Sequence, residues 1–373
     1  MEERICKIPE LLTTISGEKI NTVFDWEQFR REEIANLFCD YVYGRRDIER
    51  PAGQKFEVIE ETEIFEMRKK VVKFALDDYF FPFYLYLPKK INRPLPAFVY
   101  VMHEGMEDKL AFNNQGNMES DQTQSVLPLK TITDRGYAVA VMPTRDIYRD
   151  WKAKANYNQG IFTVVKSQKE RNKHSWATIS AWAWGVSRVL DYLEREKDID
   201  STKIASIGHS RSGKTALYAG ATDKRIFLTV TNNSGCMGSA ILRTKKGEHA
   251  VDINVSDWFC EKFREYNHKE HLLPVDQHML LAMVAPRYLY VTSSIDDTWA
   301  DPDAEFLGGK LASEVYELYG LKGLVAPAKP ELNKTYHDGH IAYHVKSGRH
   351  SQTAFDWEKV MDYFDKIRKD TNF

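Results

Sequence analysis

The hydrophobic positions of this chain change rhythm after Pro88. Before it, Trp26, Phe29, Ile34, Leu37 and Phe38 recur at helical spacing. They predict an amphipathic helix over residues 25–43, with Asp25 as its N-cap and Gly44 as its stop. Residues 55–66 and 70–87 are rich in β-branched and aromatic side chains and predict two strands, the second closed by Pro88, opening a sheet in antiparallel fashion.

After Pro88, short apolar runs alternate with helical or polar stretches. Strands are predicted at residues 96–102, 138–142, 203–207, 227–231, 287–293 and 341–345. Between them, Trp176, Ile179, Ala183, Val186, Leu190 and Leu193 mark one buried face of a helix over 175–196. A second amphipathic helix is expected over 353–369, with Phe355, Val360, Phe364 and Ile367 on one side. Residues 106–125 and 146–174, the latter carrying Trp151 and Tyr157, read as long loops, and 240–280 as an irregular insert with helical pieces. Alternating strands and helices imply an α/β fold: a mostly parallel central sheet with helices on both faces, a three-layer sandwich. No repeat or linker divides the chain, so one catalytic domain over 1–373 is expected, with 1–50 as a helical extension packed on it.

Composition narrows the function. The 373 residues are 43% hydrophobic and 28% charged, as in ordinary globular proteins. A net charge of −2 argues against a nucleic-acid partner. No apolar run reaches membrane-spanning length. The N-terminus lacks a signal-peptide core, so the sequence as written reads as cytoplasmic, or as secreted or periplasmic if a leader has been removed. Cys6, Cys39, Cys236 and Cys260 form no C-x-x-C pair, so neither a metal site nor a disulfide framework is expected. The 8 Trp and 19 Tyr residues suit carbohydrate stacking as well as a core.

Ligands of such sheets bind beyond the carboxyl ends of the strands, where this chain carries His103, Ser210, Asn233, Asp297 and His350. Gly208-His209-Ser210-Arg211-Ser212-Gly213-Lys214-Thr215 stands between a strand and a helix. That is the setting of a nucleophile elbow. The same octet satisfies the phosphate-binding G-x-x-x-x-G-K-[ST] pattern, with Asp296 or Asp297 available to hold magnesium. For the hydrolase, the order serine, acid, histidine is met by Ser210, Asp297 and His350, each after a successive strand or the next but one. Serine needs an imidazole to take its proton, and the imidazole needs a carboxylate to fix its tautomer. Asp296 and Asp301 compete for the acid role. Ser210 could instead be a helix N-cap, and Lys214 a solvated helix lysine.

Together with Asn232-Asn233-Ser234-Gly235-Cys236, Leu273-Pro274-Val275-Asp276-Gln277-His278, Asp297-Thr298-Trp299-Ala300-Asp301-Pro302, Glu305-Phe306-Leu307, Gly348-Arg349-His350 and Asp356-Trp357-Glu358, the elbow resembles the glucuronoyl esterases of carbohydrate esterase family 15, especially their bacterial branch, some of which are labelled acetylxylan esterases. The resemblance implies an α/β-hydrolase that cleaves 4-O-methylglucuronate esters between xylan and lignin alcohols through an acyl-enzyme, without metal or cofactor. Ser210 would be the nucleophile, His350 the base, Asp297 the acid and Arg211 the oxyanion donor. Lys214 and Trp299 would contact the sugar, as would Glu305. The family's frequent acid position falls on Asn233, which carries no charge; Asp297 matches the alternative position of bacterial members. An acetylxylan esterase, a nucleotide-binding protein and an inactive carbohydrate-binding relative are the other readings.

Overall fold

In a computed structural model, the structure describes residues 7–104, 111–120, 125–150, 156–165, 171–244, 246–254 and 256–369. Its strands are β1 (Lys55–Ile64), β2 (Met67–Leu76), β3 (Tyr79–Pro88), β4 (Leu95–Met102), β5 (Ala111–Phe112), β6 (Met118–Ser120), β7 (Ser125–Leu127), β8 (Ala138–Pro143), β9 (Ile199–His209), β10 (Leu228–Asn232), β11 (Tyr288–Ser294), β12 (Thr335–Tyr336) and β13 (Ile341–Lys346). The long helices are α1 (Thr178–Leu193), α2 (Arg211–Thr222), α3 (Pro302–Leu318) and α4 (Ala354–Ile367). Ten strands form one sheet in the order β1-β2-β3-β8-β4-β9-β10-β11-β13-β12. The stretch from β8 to β13 is parallel, and β1 to β3 enter it antiparallel, as the sequence predicts.

Burial follows from this layering. Every residue of β4, β8, β10, β11 and β13 is buried, because helices cover both faces and leave no side for alternation. One core unites α1, α2 and α3 with the sheet; the other packs Trp357, Val360 and Phe364 of α4 on the opposite face. The outermost strand β1 is almost wholly exposed and carries Glu57, Glu60, Glu61 and Glu63, charges that keep an open edge from pairing with another chain. Among the described residues no helix is long and apolar enough to cross a membrane.

Several elements depart from the sequence reading. The N-terminal helix is capped by Thr22 rather than Asp25: Thr22 Oγ1 accepts the Asp25 N–H at 3.1 Å and donates to its carboxylate at 2.8 Å. Two π-helical turns, Trp26–Arg30 and Cys39–Tyr43, then change the periodicity. As a result Phe29 is 58% exposed, while Arg30 is buried and donates to Leu11 O at 3.0 Å. The span 70–87 is a hairpin and not one strand, because Asp77 turns the chain with φ 51°, a conformation a short carboxylate side chain tolerates. Parts of the expected loop 106–125 form β5, β6 and β7, a separate three-stranded sheet, and Trp151 lies outside the described residues. Helix α1 is buried all round rather than on one face, since Trp182 and Trp184 donate from Nε1 to Tyr148 O and Glu49 O, both at 2.7 Å, from segments that cover it. Helix α3 was not predicted at all.

Candidate active site

Strand β9 ends in a turn whose geometry depends on two glycines. A Cβ on Gly208 would lie 2.2 Å from Ser212 O, and one on Gly213 3.0 Å from Asn232 O. Between them Ser210 adopts φ 58° and ψ −125°, a strained conformation for a residue with a side chain. Its N–H is held by Asn232 O at 2.9 Å and its C=O by the Lys214 N–H at 3.0 Å. Although Ser210 occupies the N-cap position of α2, its hydroxyl makes no capping bond, which disposes of the capping role. A strand-to-helix turn with a serine at positive φ is the backbone conformation that a nucleophile elbow requires.

The acid and the imidazole arrive by a pair of tied loops. Past β11 and β13 the backbones stay joined, Ile295 N–H to Lys346 O at 2.8 Å and Asp296 N–H to Gly348 O at 3.1 Å. Gly348, at φ 101°, then turns the chain towards the loop after β11. Asp297 Oδ2 lies 2.6 Å from His350 Nδ1 and 2.7 Å from Asn233 Nδ2, and the Ala300 N–H reaches Oδ1 at 3.2 Å. Burial alone would raise the Asp297 pKa; the bonds from His350 and Asn233 overcome it and hold the carboxyl down at about 2. Asn233 therefore steadies the acid rather than replacing it. The competing aspartates are otherwise placed: Asp301 caps α3 by accepting the Ala304 N–H at 3.1 Å and also takes the Lys246 N–H at 2.7 Å, and Asp297 alone of the three meets His350 among the described hydrogen bonds.

Around the elbow, Arg211 pairs through Nη1 with Asp150, and its guanidinium lies 5.3 Å from the ring centre of Trp258. Its Nε is buried without a partner among the described residues, and burial lowers its pKa. Lys214 is not solvated: its side chain is 3% exposed, and Nζ donates to Ser234 O at 2.8 Å and Glu248 Oε2 at 3.2 Å. Trp299 is 54% exposed and donates from Nε1 to Glu248 Oε1 at 3.2 Å. One carboxylate, Glu248, thus ties together the two side chains expected at the sugar site. Nothing in the sequence marks Glu248, which sits in the irregular insert. Gly247 lets that insert approach, since a Cβ there would stand 2.3 Å from both Thr298 O and Trp299 O.

Glu305 corrects an expectation. Its carboxylate is fully buried, accepting from Gly235 N–H at 2.9 Å, Ser239 Oγ at 2.9 Å and Ser293 Oγ at 2.7 Å. Burial raises its pKa. Such a group braces the loop 233–239 from beneath and offers no face to a substrate. The phosphate-loop reading also fails, because Lys214 is bound inward and Thr215 is buried, its hydroxyl donating to Arg211 O at 3.0 Å. Among the described residues no group of three or more His, Cys, Asp or Glu side chains is arranged to hold a metal ion.

The chain is similar to known carbohydrate esterases. A family model described as fungal glucuronyl esterase matches residues 119–320. A carbohydrate esterase from an unknown prokaryotic organism is 34% identical over 96% of this chain and 89% of its own length. A 4-O-methyl-glucuronoyl methylesterase of Hypocrea jecorina is 40% identical over 36% of this chain and 32% of that protein. Among solved structures, a glucuronoyl esterase from Solibacter usitatus superposes with a TM-score of 0.85 at 31% identity, covering 96% of this chain and 97% of that one. A promiscuous family 15 carbohydrate esterase from a marine bacterial metagenome gives 0.82 at 34% identity, covering 96% of each.

Proposed function

The chain belongs to the glucuronoyl esterases of carbohydrate esterase family 15, and we propose that it hydrolyses 4-O-methylglucuronate esters with Ser210, His350 and Asp297 as its triad. Ser210 Oγ attacks the ester carbonyl and gives its proton to His350 Nε2. His350 passes that proton to the departing alcohol, leaving a glucuronoyl-serine. Water then attacks with the same histidine as base, and the uronic acid leaves. Asp297, bound to Nδ1–H, keeps the imidazole in the tautomer whose Nε2 faces the serine and stabilises it when charged.

The observation that carries this reading is the 2.6 Å contact of His350 Nδ1 with Asp297, with the His350 ring centre 4.4 Å from that of His209, the residue that precedes a serine held at φ 58°. Arg211 is the oxyanion donor in this scheme, a half-buried cation next to the nucleophile whose Nε has no described partner. Removing such a donor costs about 10²- to 10³-fold in kcat. Trp299 offers its exposed ring to a hydroxylated acyl group, with Glu248 accepting from its Nε1 and the buried Lys214 fixing Glu248 in turn. The esterified lignin-type alcohol and the xylan chain are taken as the two arms of the substrate.

A serine-directed phosphonate should label Ser210 alone, as mapped by mass spectrometry, and Ser210→Ala should lose benzyl glucuronate hydrolysis. Label on another residue, or faster turnover of acetylated xylan than of the glucuronate ester, would overturn the reading.

A further inference from the structure

His350 sits on the loop after β13 with its side chain 40% exposed. Among the described hydrogen bonds its ring makes one, at Nδ1. A ring tethered at one nitrogen can pivot about that bond, which swings Nε2 along an arc past the nucleophile. The neighbour that limits the pivot is His209, whose ring centre lies 4.4 Å from that of His350 with the planes at 46°. His209 is itself enclosed, 4% exposed, with Nδ1 2.6 Å from Asn232 Oδ1. Asn232 points its nitrogen the other way, to Thr292 Oγ1 and, at 3.3 Å, to Asp356 Oδ1, so its oxygen accepts the hydrogen bond that His209 Nδ1–H donates. Asp356 is fixed in turn by His344 Nε2 at 2.9 Å and the Thr353 N–H at 2.7 Å. The wall behind His350 is thereby anchored to β10, β11, β13 and α4.

We propose that His209 is a positioning residue for His350, an aromatic wall held rigid by Asn232 that keeps the catalytic imidazole aimed at Ser210. This rests on His350 being the base for Ser210. The wall also has to be uncharged, since a cation there would oppose protonation of His350. The charged or titratable groups that face His209 are His350 from its loop, Lys346 from β13 and Asp356 from α4. Burial, aided by His350, lowers the His209 pKa to about 3, so the ring stays neutral well below the ordinary imidazole range.

The test measures kcat and KM on benzyl glucuronate for His209→Ala, His209→Gln and His209→Phe, with His350→Ala alongside and folding checked by thermal unfolding. Loss of the ring in His209→Ala and His209→Gln should lower kcat about tenfold to a hundredfold, as small misplacements of catalytic groups do, with KM within about twofold. His209→Phe restores a ring and should come within about fivefold of the parent. A folded His209→Ala with parental kcat, or His209→Phe no faster than His209→Gln, overturns the proposal. Parental activity in His350→Ala would instead overturn the triad itself. If the His209 variants do not fold, imidazole NMR of the unsubstituted protein decides: His209 staying neutral down to pH 5 supports the wall, and titration near the ordinary value of about 6.5 overturns it.

Discussion

Asn233 falls where the resemblance to family 15 leads one to expect an acid, yet its amide is bonded to Asp297 at 2.7 Å. It adopts φ 44°, which a short amide side chain tolerates, and Ser294 Oγ donates to its Oδ1 at 3.3 Å. Asn233 thus supports the carboxylate after the next strand rather than supplying one. Three consequences can be measured. Asp297→Asn should lower kcat/KM by about 10³- to 10⁴-fold, because the imidazole loses both its tautomer and its counter-charge. Adding Asn233→Asp to that variant returns a carboxylate to the neighbourhood of His350 and should recover at least about tenfold of the loss. Recovery of nothing would mean that the position after β10 cannot reach the imidazole in this chain. Asn233→Asp by itself should impair activity, since two carboxylates in contact push one pKa up.

Among elements, the ones legible from sequence were those whose pattern is local. The buried runs at β4, β8, β10 and β11 could only be strands between turn signals, and the elbow was marked by its glycines. What was missed depended on contacts between distant segments. Nothing local showed that α1 is enclosed by residues near Glu49 and Tyr148, or that the insert carrying Glu248 folds over Thr298 and Trp299. Helix α3 was hidden for a different reason. Its start, Asp301 followed by Pro302, is a good N-cap signal, but from sequence Asp301 reads equally as a candidate acid or as a cap for its loop. That cap has a functional side. Asp301 takes the Ala304 N–H and also the Lys246 N–H at 2.7 Å, fixing the segment that leads to Glu248. Asp301→Ala should therefore cost about 1–2 kcal/mol in urea unfolding and raise KM for benzyl glucuronate severalfold with less effect on kcat. An unchanged KM in the folded variant would show that Glu248 does not depend on the cap.

At the scale of the whole molecule, the α/β-hydrolase sheet keeps several ionisable groups from water, and this ties its stability to pH. His209, His278 and His337 have pKa values lowered to about 3, 4 and 4, in each case chiefly by burial. Unfolded, each would take up a proton near pH 6.5; folded, each stays neutral well below that. Between those values the unfolded chain binds more protons than the native one, so stability falls as pH falls, by up to about 1.4 kcal/mol per unit for each histidine. Asp297 acts lower down: its pKa of about 2 contributes stability that is complete above the unfolded value and disappears as pH approaches 2. Asp146, Glu305 and Glu314 work in the opposite direction, because burial raises the pKa of each and the folded form holds the proton longer than the unfolded chain does. Against them stand the three histidines and further carboxyls held low like Asp297, among them Asp223, Asp356 and Asp365, which leaves the balance on the side of acid sensitivity. The unfolding free energy from urea titration should be at least about 2 kcal/mol smaller at pH 5 than at pH 7, the contribution of little more than one buried histidine. An equal value at the two pH values would require these imidazoles to be hydrated or charged in the native protein. Since His209 lies against His350, that result would also remove the neutral wall behind the catalytic ring.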